Sequence, residues 1–243
     1  MKKLLNRLAL IVCVCIFAYS AFQLGMIILQ YKEIEDETNE LIEHYVERAD
    51  GEDPLKRKID FDGLLKRNPD VIGWLYIPDT KIDEPILKGN NNESYLHTTI
   101  DGGYSAAGQV FIDKINERDF KDDNTIIYGH NMKNGSRFHD LRYFTGKDYY
   151  DDHPNVYIYL PDSTVNVYHI HSAGVISAES KLYMKGIDYK DYISKSQKAG
   201  SQRSDVSDEQ QPLIMLSTCN SANSKEKRNV VFARLEENVK IGD

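Results

Sequence analysis

The amino-acid sequence predicts a mostly β domain that follows an apolar N-terminal helix. Residues 8–29 are almost entirely apolar, whereas the later sequence contains short segments rich in Val, Ile, Tyr and Phe. Eight such segments are separated by Gly, Pro, Asn and Asp, and short strands with regular turn residues are typical of a β-barrel or a β-sandwich. About 190 residues remain after the first 54, which is enough for one well-buried domain.

The N-terminal segment has the length and charge pattern of a membrane anchor. Three basic residues precede the apolar run, and acidic sequence follows it. At ~1.5 Å per residue, a helix over residues 8–29 reaches about 33 Å, the thickness of a bilayer's hydrocarbon core, whereas the apolar part of a cleaved signal peptide has about 7–15 residues. The positive-inside rule then places residues 1–7 in the cytoplasm, residues 8–30 in the membrane and the remainder outside. Cleavage near Ala18-Tyr19-Ser20 is the alternative.

The net charge of −8 is unevenly distributed along the chain. Residues 1–30 carry +3 and residues 31–54 carry −8, which leaves −3 for residues 55–243. Folded domains that bind nucleic acid normally present a basic face, and this nearly neutral composition gives no sign of one. The sequence therefore argues against a nucleic-acid partner.

Helical patterns occur at three places after the apolar run. Apolar residues recur at helical spacing over residues 34–49, with acids on the opposite face, which predicts an amphipathic helix in an extracellular stalk over residues 31–54. Asp60 is a suitable N-cap for a short helix directly after it. A third helix is expected over residues 187–198, within a polar insertion at residues 178–211.

The predicted strands all lie within residues 55–243, which we interpret as one domain. Pro161-Asp162-Ser163 is typical of a hairpin turn and separates the fifth strand from the sixth. The predicted strand limits are 71–77, 82–87, 108–112, 125–129, 156–160, 165–176, 213–218 and 230–235.

Three side chains with catalytic potential stand at the ends of predicted strands. Cys219 is the only cysteine outside the apolar N-terminal segment, so an extracellular domain offers it no internal disulfide partner. His130 follows another strand, and Arg228 precedes a third. A cysteine nucleophile needs a proton-transferring group and donors for the developing oxyanion. Taken singly, each residue is commonly a buried, turn or solvated side chain, but barrel strands share a rim at which all three can converge.

The local sequences around these residues resemble the sortases, the cysteine transpeptidases of Gram-positive cell surfaces. The resemblance is carried by Leu216-Ser217-Thr218-Cys219, by an arginine nine residues after the cysteine, and by Tyr128-Gly129-His130-Asn131. It extends to Asn68-Pro69-Asp70-Val71-Ile72-Gly73-Trp74 and to Tyr95-Leu96-His97. The anchored N-terminus, the helical lead-in and the helix-bearing insertion before the cysteine strand are most similar to class B sortases.

The resemblance implies an eight-stranded sortase-type β-barrel with N-terminal helices, in which residues 55–243 form the catalytic domain. It implies that Cys219 is the nucleophile, that His130 is the general acid and base, and that Arg228 stabilises the oxyanion or positions the substrate. Cys219 would cleave a C-terminal NPxTG-like sorting motif of an exported protein after its threonine and hold the protein as a thioester. An amine of peptidoglycan or of its lipid-linked precursor would then receive the protein.

The resemblance also bears on the substrate groove and on cofactors. The expected groove residues are Leu96, Ser217 and Tyr183, with Asn92 as a further contact. No cofactor is expected, because the thioester retains the energy of the peptide bond. His169 and His171 are two residues apart on a predicted strand, but they lack a nearby third ligand, so no metal is expected.

Three alternatives stay open on the sequence. A cell-wall cysteine peptidase would hydrolyse the thioester, but many such enzymes place the cysteine before the histidine, whereas His130 precedes Cys219 by 89 residues. A pilin polymerase would differ only in the amine acceptor. A non-catalytic surface-binding module would carry its thiol incidentally.

Overall fold

The computed structural model describes residues 2–47, 53–207, 209–219 and 226–241. The α-helices of this part of the chain are α1 (Lys2–Tyr45), α2 (Phe61–Arg67), α3 (Lys147–Asp152) and α4 (Tyr189–Ala199), and the 3₁₀ helices are Pro54–Lys56, Phe138–Thr145 and Lys181–Tyr183. The strands are β1 (Val46–Glu47), β2 (Lys58–Ile59), β3 (Val71–Tyr76), β4 (Asp83–Leu87), β5 (Val110–Ile112), β6 (Thr125–Tyr128), β7 (Asn155–Tyr159), β8 (Thr164–Ser177), β9 (Gly200–Arg203), β10 (Leu213–Cys219) and β11 (Lys227–Lys240).

Eight of these strands close into a barrel, which confirms the predicted fold class. Their order is β11-β10-β6-β5-β4-β3-β7-β8, and β8 pairs with β11 to complete the ring. The β6–β10 and β4–β5 pairs are parallel, while the remaining pairs of the ring are antiparallel. All eight predicted strands are found, with ends that differ by a few residues except for β11, which begins three residues earlier and ends five residues later than expected.

Strand β9 lies outside the ring and was not predicted. It pairs with the far end of β8, beyond the stretch that pairs with β7. Its sequence, Gly200-Ser201-Gln202-Arg203, lacks the β-branched and aromatic residues that favour strands, so only its contact with β8 makes it a strand.

The two faces of β10 explain its continuous apolar sequence. Ile214 and Leu216 point into the barrel core, whereas Leu213 and Met215 pack on the opposite face. Successive side chains of a strand alternate between faces, so a strand that is covered on both sides is apolar at every position. The outer cover is the predicted insertion, whose helix α4 begins one residue after its N-cap Asp188, close to the predicted limits.

The apolar segment and the predicted stalk helix form the single helix α1. In its first half the large apolar side chains are exposed, and α1 is long and apolar enough to cross a membrane by length and composition. Its second half packs on the barrel through Ile34 and Leu41, which are 4% and 1% exposed. The helix ends at Tyr45 because Val46 and Glu47 pair with β2; the rest of the predicted helix, at residues 48 and 49, lies outside the described residues.

The region between β6 and β7 contains helices that the sequence did not predict. Phe138, Leu141 and Phe144 lie on the 3₁₀ segment and are buried in the barrel core. Their spacing of three matches the three residues per turn of a 3₁₀ helix. The predicted helix after Asp60 is confirmed as α2, with the Asp60 carboxylate accepting a hydrogen bond of 2.9 Å from the Gly63 amide.

Candidate active site

Cys219 and Arg228 are opposed across two neighbouring antiparallel strands. Cys219 ends β10, and the strand register pairs it with Arg228 near the start of β11. Side chains of directly opposed residues extend from the same face of a sheet and are close neighbours. That face is the outer one, because residues at even spacing from each, Met215 on β10 and Phe232 on β11, pack under the insertion.

The parallel pairing of β6 with β10 brings His130 to the same rim. Tyr128 is the register partner of Ser217, so His130 and Cys219 each follow this pair by two residues. The pairing continues beyond the strand, since the Gly129 amide donates to the Ser217 carbonyl at 3.3 Å. The register therefore gathers the three sequence-predicted catalytic residues at one end of three adjacent strands.

His130 is held by the loop that contains Leu96. Its Nε2 atom lies 2.8 Å from the Leu96 carbonyl oxygen, and since a carbonyl can only accept, Nε2 carries the hydrogen. In the neutral ring this leaves Nδ1 as the basic nitrogen. Burial is the largest effect and lowers the pKa of His130; the hydrogen bond to the Leu96 carbonyl raises it, and electrostatic repulsion by His97 and Arg137 lowers it again. The histidine thus favours its neutral form.

The ring of His97 stacks on His130, with centroids 5.4 Å apart and planes inclined by 24°. His97 is exposed and also lies against the ring of Tyr104, at a centroid distance of 6.3 Å. His97 ends the segment Tyr95-Leu96-His97, in which no local pattern predicts a contact with His130.

Tyr183 and Ser217 are in contact with each other on the outer face of the sheet near Cys219. The Tyr183 hydroxyl lies 2.7 Å from Ser217 Oγ, and its ring stacks on Tyr128 at 6.3 Å with a plane angle of 12°. Burial raises the pKa of Tyr183 and outweighs the opposite effects of its hydrogen bond to Ser217 and of the Arg228 charge, so the phenol keeps its proton. Two candidate groove residues that are 34 apart in sequence therefore meet next to the thiol.

Asn92 belongs to a hydrogen-bond network centred on Asp113. Its Nδ2 donates to the Asp113 carboxylate at 3.0 Å, and its Oδ1 accepts from the Lys114 amide at 2.7 Å. The Tyr128 hydroxyl donates to the same carboxylate at 2.9 Å. Asn92 is thus linked through Asp113 to Tyr128, whose ring stacks on Tyr183. Asp113 is missing from the sequence-based candidates, because a lone aspartate after a strand has no distinctive local pattern.

Among the described residues, no group of three or more His, Cys, Asp or Glu side chains is arranged to hold a metal ion. His169 Nδ1 lies 3.3 Å from Asn155 Oδ1. His171 is buried with its ring stacked on Phe232, and its burial lowers its pKa to about 4. Both histidines thus contact neighbouring protein side chains, Asn155 and Phe232.

Comparison with known proteins agrees with the fold and the site geometry described above. The family model described as Sortase domain matches residues 75–236. A curated relative named Sortase B, from Listeria monocytogenes, is 32% identical over 95% of this chain and 96% of its own length.

Solved structures of class B sortases share the fold. A crystal structure of sortase B from B. anthracis has a TM-score of 0.69 and 25% identity, covering 86% of this chain and 98% of that one. A class B sortase from Streptococcus pyogenes, described as involved in pilus biogenesis, has a TM-score of 0.67 and 28% identity, covering 73% of this chain and 98% of that one.

Proposed function

This chain belongs to the sortase family as a class B-type cysteine transpeptidase, and on that premise we propose that Cys219, His130 and Arg228 join an exported protein to a cell-wall amine. The proposed donor is a C-terminal NPxTG-like sorting motif, cleaved after its threonine. The observation that carries this assignment is the shared rim: Cys219 opposes Arg228 on β11, and His130 follows the parallel strand β6 at the same level.

The first half-reaction forms a thioester. The Cys219 thiol first gives its proton to neutral His130, which forms a thiolate and an imidazolium. The thiolate attacks the carbonyl carbon of the motif's threonine, and Arg228 donates hydrogen bonds to the oxygen as it becomes negative. The carbon–nitrogen bond then breaks, and the departing amine takes a proton from the His130 imidazolium. Because Nε2 of His130 is engaged by the Leu96 carbonyl, Nδ1 is the nitrogen that gives the proton.

The second half-reaction transfers the acyl group. An acceptor amine attacks the thioester carbonyl, neutral His130 removes a proton from that amine, and the Cys219 sulfur leaves as thiolate. The lowered pKa of His130 favours its neutral form, which suits it to be the base of this step. No nucleotide is needed, since the thioester conserves the energy of the cleaved peptide bond.

The surface beside the thiol is proposed to form a groove that binds the sorting motif. Tyr183 and Ser217 lie on the outer face next to Cys219, and Leu96 lies beside His130, so both sides of the reacting carbonyl have neighbours for an extended peptide. Asn92 acts on this groove through Asp113 and Tyr128.

The first half of α1 is proposed to be a transmembrane anchor, with residues 1–7 cytoplasmic, residues 31–54 an extracellular helical connection and residues 55–243 the catalytic domain outside the cell. The exposed apolar side chains of this half and the basic residues before it support the proposal. Alkaline carbonate should leave the full-length protein in the membrane pellet of a Gram-positive host. Protease added to protoplasts should degrade the catalytic domain; protection of that domain would contradict the proposed orientation.

A peptide assay tests the function. The full-length protein in detergent is incubated with fluorogenic peptides that carry NPxTG-like and unrelated motifs, with and without a peptidoglycan-type amine. The expected result is cleavage of the sorting peptide, joining to the amine, and an acyl adduct on Cys219 in intact-mass spectra. Cys219→Ala should lose all three. Cleavage with water as the sole acceptor would instead favour the wall peptidase, and no Cys219-dependent product would favour the non-catalytic binding module.

A pilin lysine as acceptor is the second candidate, because the Streptococcus pyogenes relative is described as involved in pilus biogenesis. The two acceptors are distinguished by competition. Equal concentrations of a wall-type amine and a pilin-type lysine peptide should give mainly the wall product under the first proposal and mainly the lysine product under the second.

A further inference from the structure

Glu37 on α1 binds three separate parts of the domain. Its carboxylate accepts hydrogen bonds from Arg137 Nη2 at 3.0 Å, from Gln109 Nε2 at 3.0 Å and from the Ile100 backbone amide at 3.2 Å. Its side chain is 13% exposed, and it lies outside residues 75–236, the part matched by the family model. One carboxylate of the helix that carries the apolar segment therefore binds three positions in the loops of the domain.

Two of the three residues that Glu37 binds, Ile100 and Gln109, follow Leu96 in the same chain segment. The Leu96 carbonyl accepts a hydrogen bond from His130 Nε2, so this segment contacts one side of the histidine. The Gln109 amide also donates to the Tyr95 carbonyl at 2.9 Å, which joins the residue bound by Glu37 to the residue before Leu96. The position of the Leu96 carbonyl thus depends on a segment whose later part is bound to α1.

The third contact lies on the loop that leaves His130 on the other side. Arg137 pairs with Asn131, and the Phe138 amide donates to the His130 carbonyl at 2.9 Å, so the loop returns to the histidine. Asn131 also donates to the Cys219 carbonyl. The Arg137 end of this loop is therefore joined to His130 by one hydrogen bond, from the adjacent Phe138 amide, and to Cys219 through Asn131.

The Arg137 side chain is completely buried, and its charge is balanced by two carboxylates. Glu84 on β4, which is 1% exposed, accepts from Nη1, and Glu37 accepts from Nη2. Nε donates to the Gly108 carbonyl at 2.9 Å, so α1, β4 and the loop before β5 all contact one guanidinium. Its backbone φ of +56° is unfavourable for a residue with a side chain, and such a conformation persists where surrounding contacts impose it.

We propose that Glu37 is a positioning residue for His130, so that α1 is part of the support of the active site as well as the carrier of the apolar segment. This inference rests on the proposed function. It follows from geometry: the Glu37 carboxylate joins the Leu96 side and the Asn131 side of His130, and its loss would let these two segments move relative to each other. A small displacement of a proton-transferring group has a large effect on rate and little effect on substrate affinity.

Glu40 provides a matched control on the same helix. It accepts hydrogen bonds from Arg67 Nη1 at 2.8 Å, and Arg67 also binds Asp101, so this ion pair likewise joins α1 to the domain. Unlike Glu37, it makes no contact with the loop after His130 among the described residues, and it reaches the segment after Leu96 only through Arg67 and Asp101. Glu40→Gln therefore weakens the docking of α1 but leaves the Arg67–Asp101 pair and the Arg137 side of His130 in place.

The test compares the full-length protein with Glu37→Gln and Glu40→Gln in the sorting-peptide assay. We expect Glu37→Gln to lower kcat about 10-fold to 100-fold with KM within about twofold. Glu40→Gln should keep both constants within about twofold of the wild type, although both variants lower Tm. Alkylation of Cys219 by iodoacetamide should proceed at a similar rate in all three proteins, because the thiol itself is not displaced.

The inference is overturned if Glu37→Gln keeps the wild-type kcat, or if both variants lower kcat in proportion to their loss of Tm. If Glu37→Gln does not fold, Gln109→Met replaces it, since this isosteric change removes one of the three hydrogen bonds. A loss of kcat of about threefold or more supports the inference, and an unchanged kcat overturns it. Failure of the proposed function itself is recognised separately, because wild type and Cys219→Ala would then give identical products.

Discussion

The side-chain amide nitrogen of Asn131 lies 2.9 Å from the backbone carbonyl oxygen of Cys219 and donates a hydrogen bond to it. Asn131 directly follows His130, and Cys219 is the last residue of β10. This bond therefore ties the end of the proposed nucleophile strand to the residue next to the proposed general acid and base, across 88 positions of sequence.

Removing that donor should lower the rate of catalysis. Asn131→Ala is expected to reduce kcat about tenfold, the equivalent of losing one buried hydrogen bond of ~1.4 kcal/mol. The control is Asn134→Ala in the same loop, which removes the side-chain oxygen that accepts from the amide and hydroxyl of Ser136. Its kcat should stay within about twofold of the wild type. Steady-state cleavage of a sorting peptide checks this, and equal effects of the two variants would contradict it.

Replacing Arg228 by lysine should be severe. The guanidinium presents several donors in a fixed plane, whereas an ammonium is a point charge, so Arg228→Lys is expected to lower kcat about 100-fold or more. The same substitution at the exposed Arg142 should have no measurable effect. Single-turnover acylation of Cys219 is the measurement, and full activity of Arg228→Lys would remove Arg228 from the mechanism.

Because the rings of His97 and His130 are stacked, replacing His97 should shift the pH dependence of the reaction. Positive charge on His97 lowers the pKa of His130, so its removal in His97→Gln should raise that pKa toward the ordinary value. The limb of the kcat/KM profile that reports His130 in the free enzyme should move to higher pH. His139→Gln is the control, and a profile of His97→Gln that superimposes on the wild-type profile would rule out the coupling.

Tyr183→Phe tests the groove. The change removes the hydroxyl that lies 2.7 Å from Ser217 Oγ but leaves the ring stacked on Tyr128. We expect KM for a sorting peptide to rise about fivefold, while kcat stays within about twofold, because one hydrogen bond beside the substrate is lost. Tyr143→Phe, at an exposed tyrosine, is the matched control. A fall in kcat with unchanged KM would place Tyr183 in the chemistry instead.

The buried His171 is expected to lower the free energy of unfolding in acid. Its folded pKa of about 4 is below its ordinary value of 6.5, so the folded state favours the neutral ring and unfolding takes up a proton below pH 6.5. The contribution to the free energy of unfolding is present above about pH 6.5 and falls, by up to roughly 3 kcal/mol, as the pH decreases to about 4. His171→Leu should lose less stability over this range, whereas His44→Gln, at an exposed site, should follow the wild type. Denaturant unfolding at several pH values provides the check; identical slopes for wild type and His171→Leu would refute it.

Local sequence patterns determined most of the fold. The alternation and turn residues located all eight barrel strands, and the cap at Asp60 located the start of α2, because these features depend on neighbours along the chain. The 3₁₀ segment at Phe138–Thr145 and the strand β9 were not predicted. The first has a period of three in only eight residues, and the second has no strand-forming residues at all.

The sequence by itself also identified the candidate catalytic residues, since the segments around His130, Cys219 and Arg228 are short and distinctive. Only the tertiary structure decided how they meet: the parallel register of Tyr128 with Ser217 and the opposition of Cys219 with Arg228 set their common face and level. The contacts of Glu37 with Ile100, Gln109 and Arg137 were likewise invisible in the sequence. Strand pairing and buried charge pairing join residues far apart in the chain, and their free energy depends on the packing of the whole barrel, which no local pattern encodes.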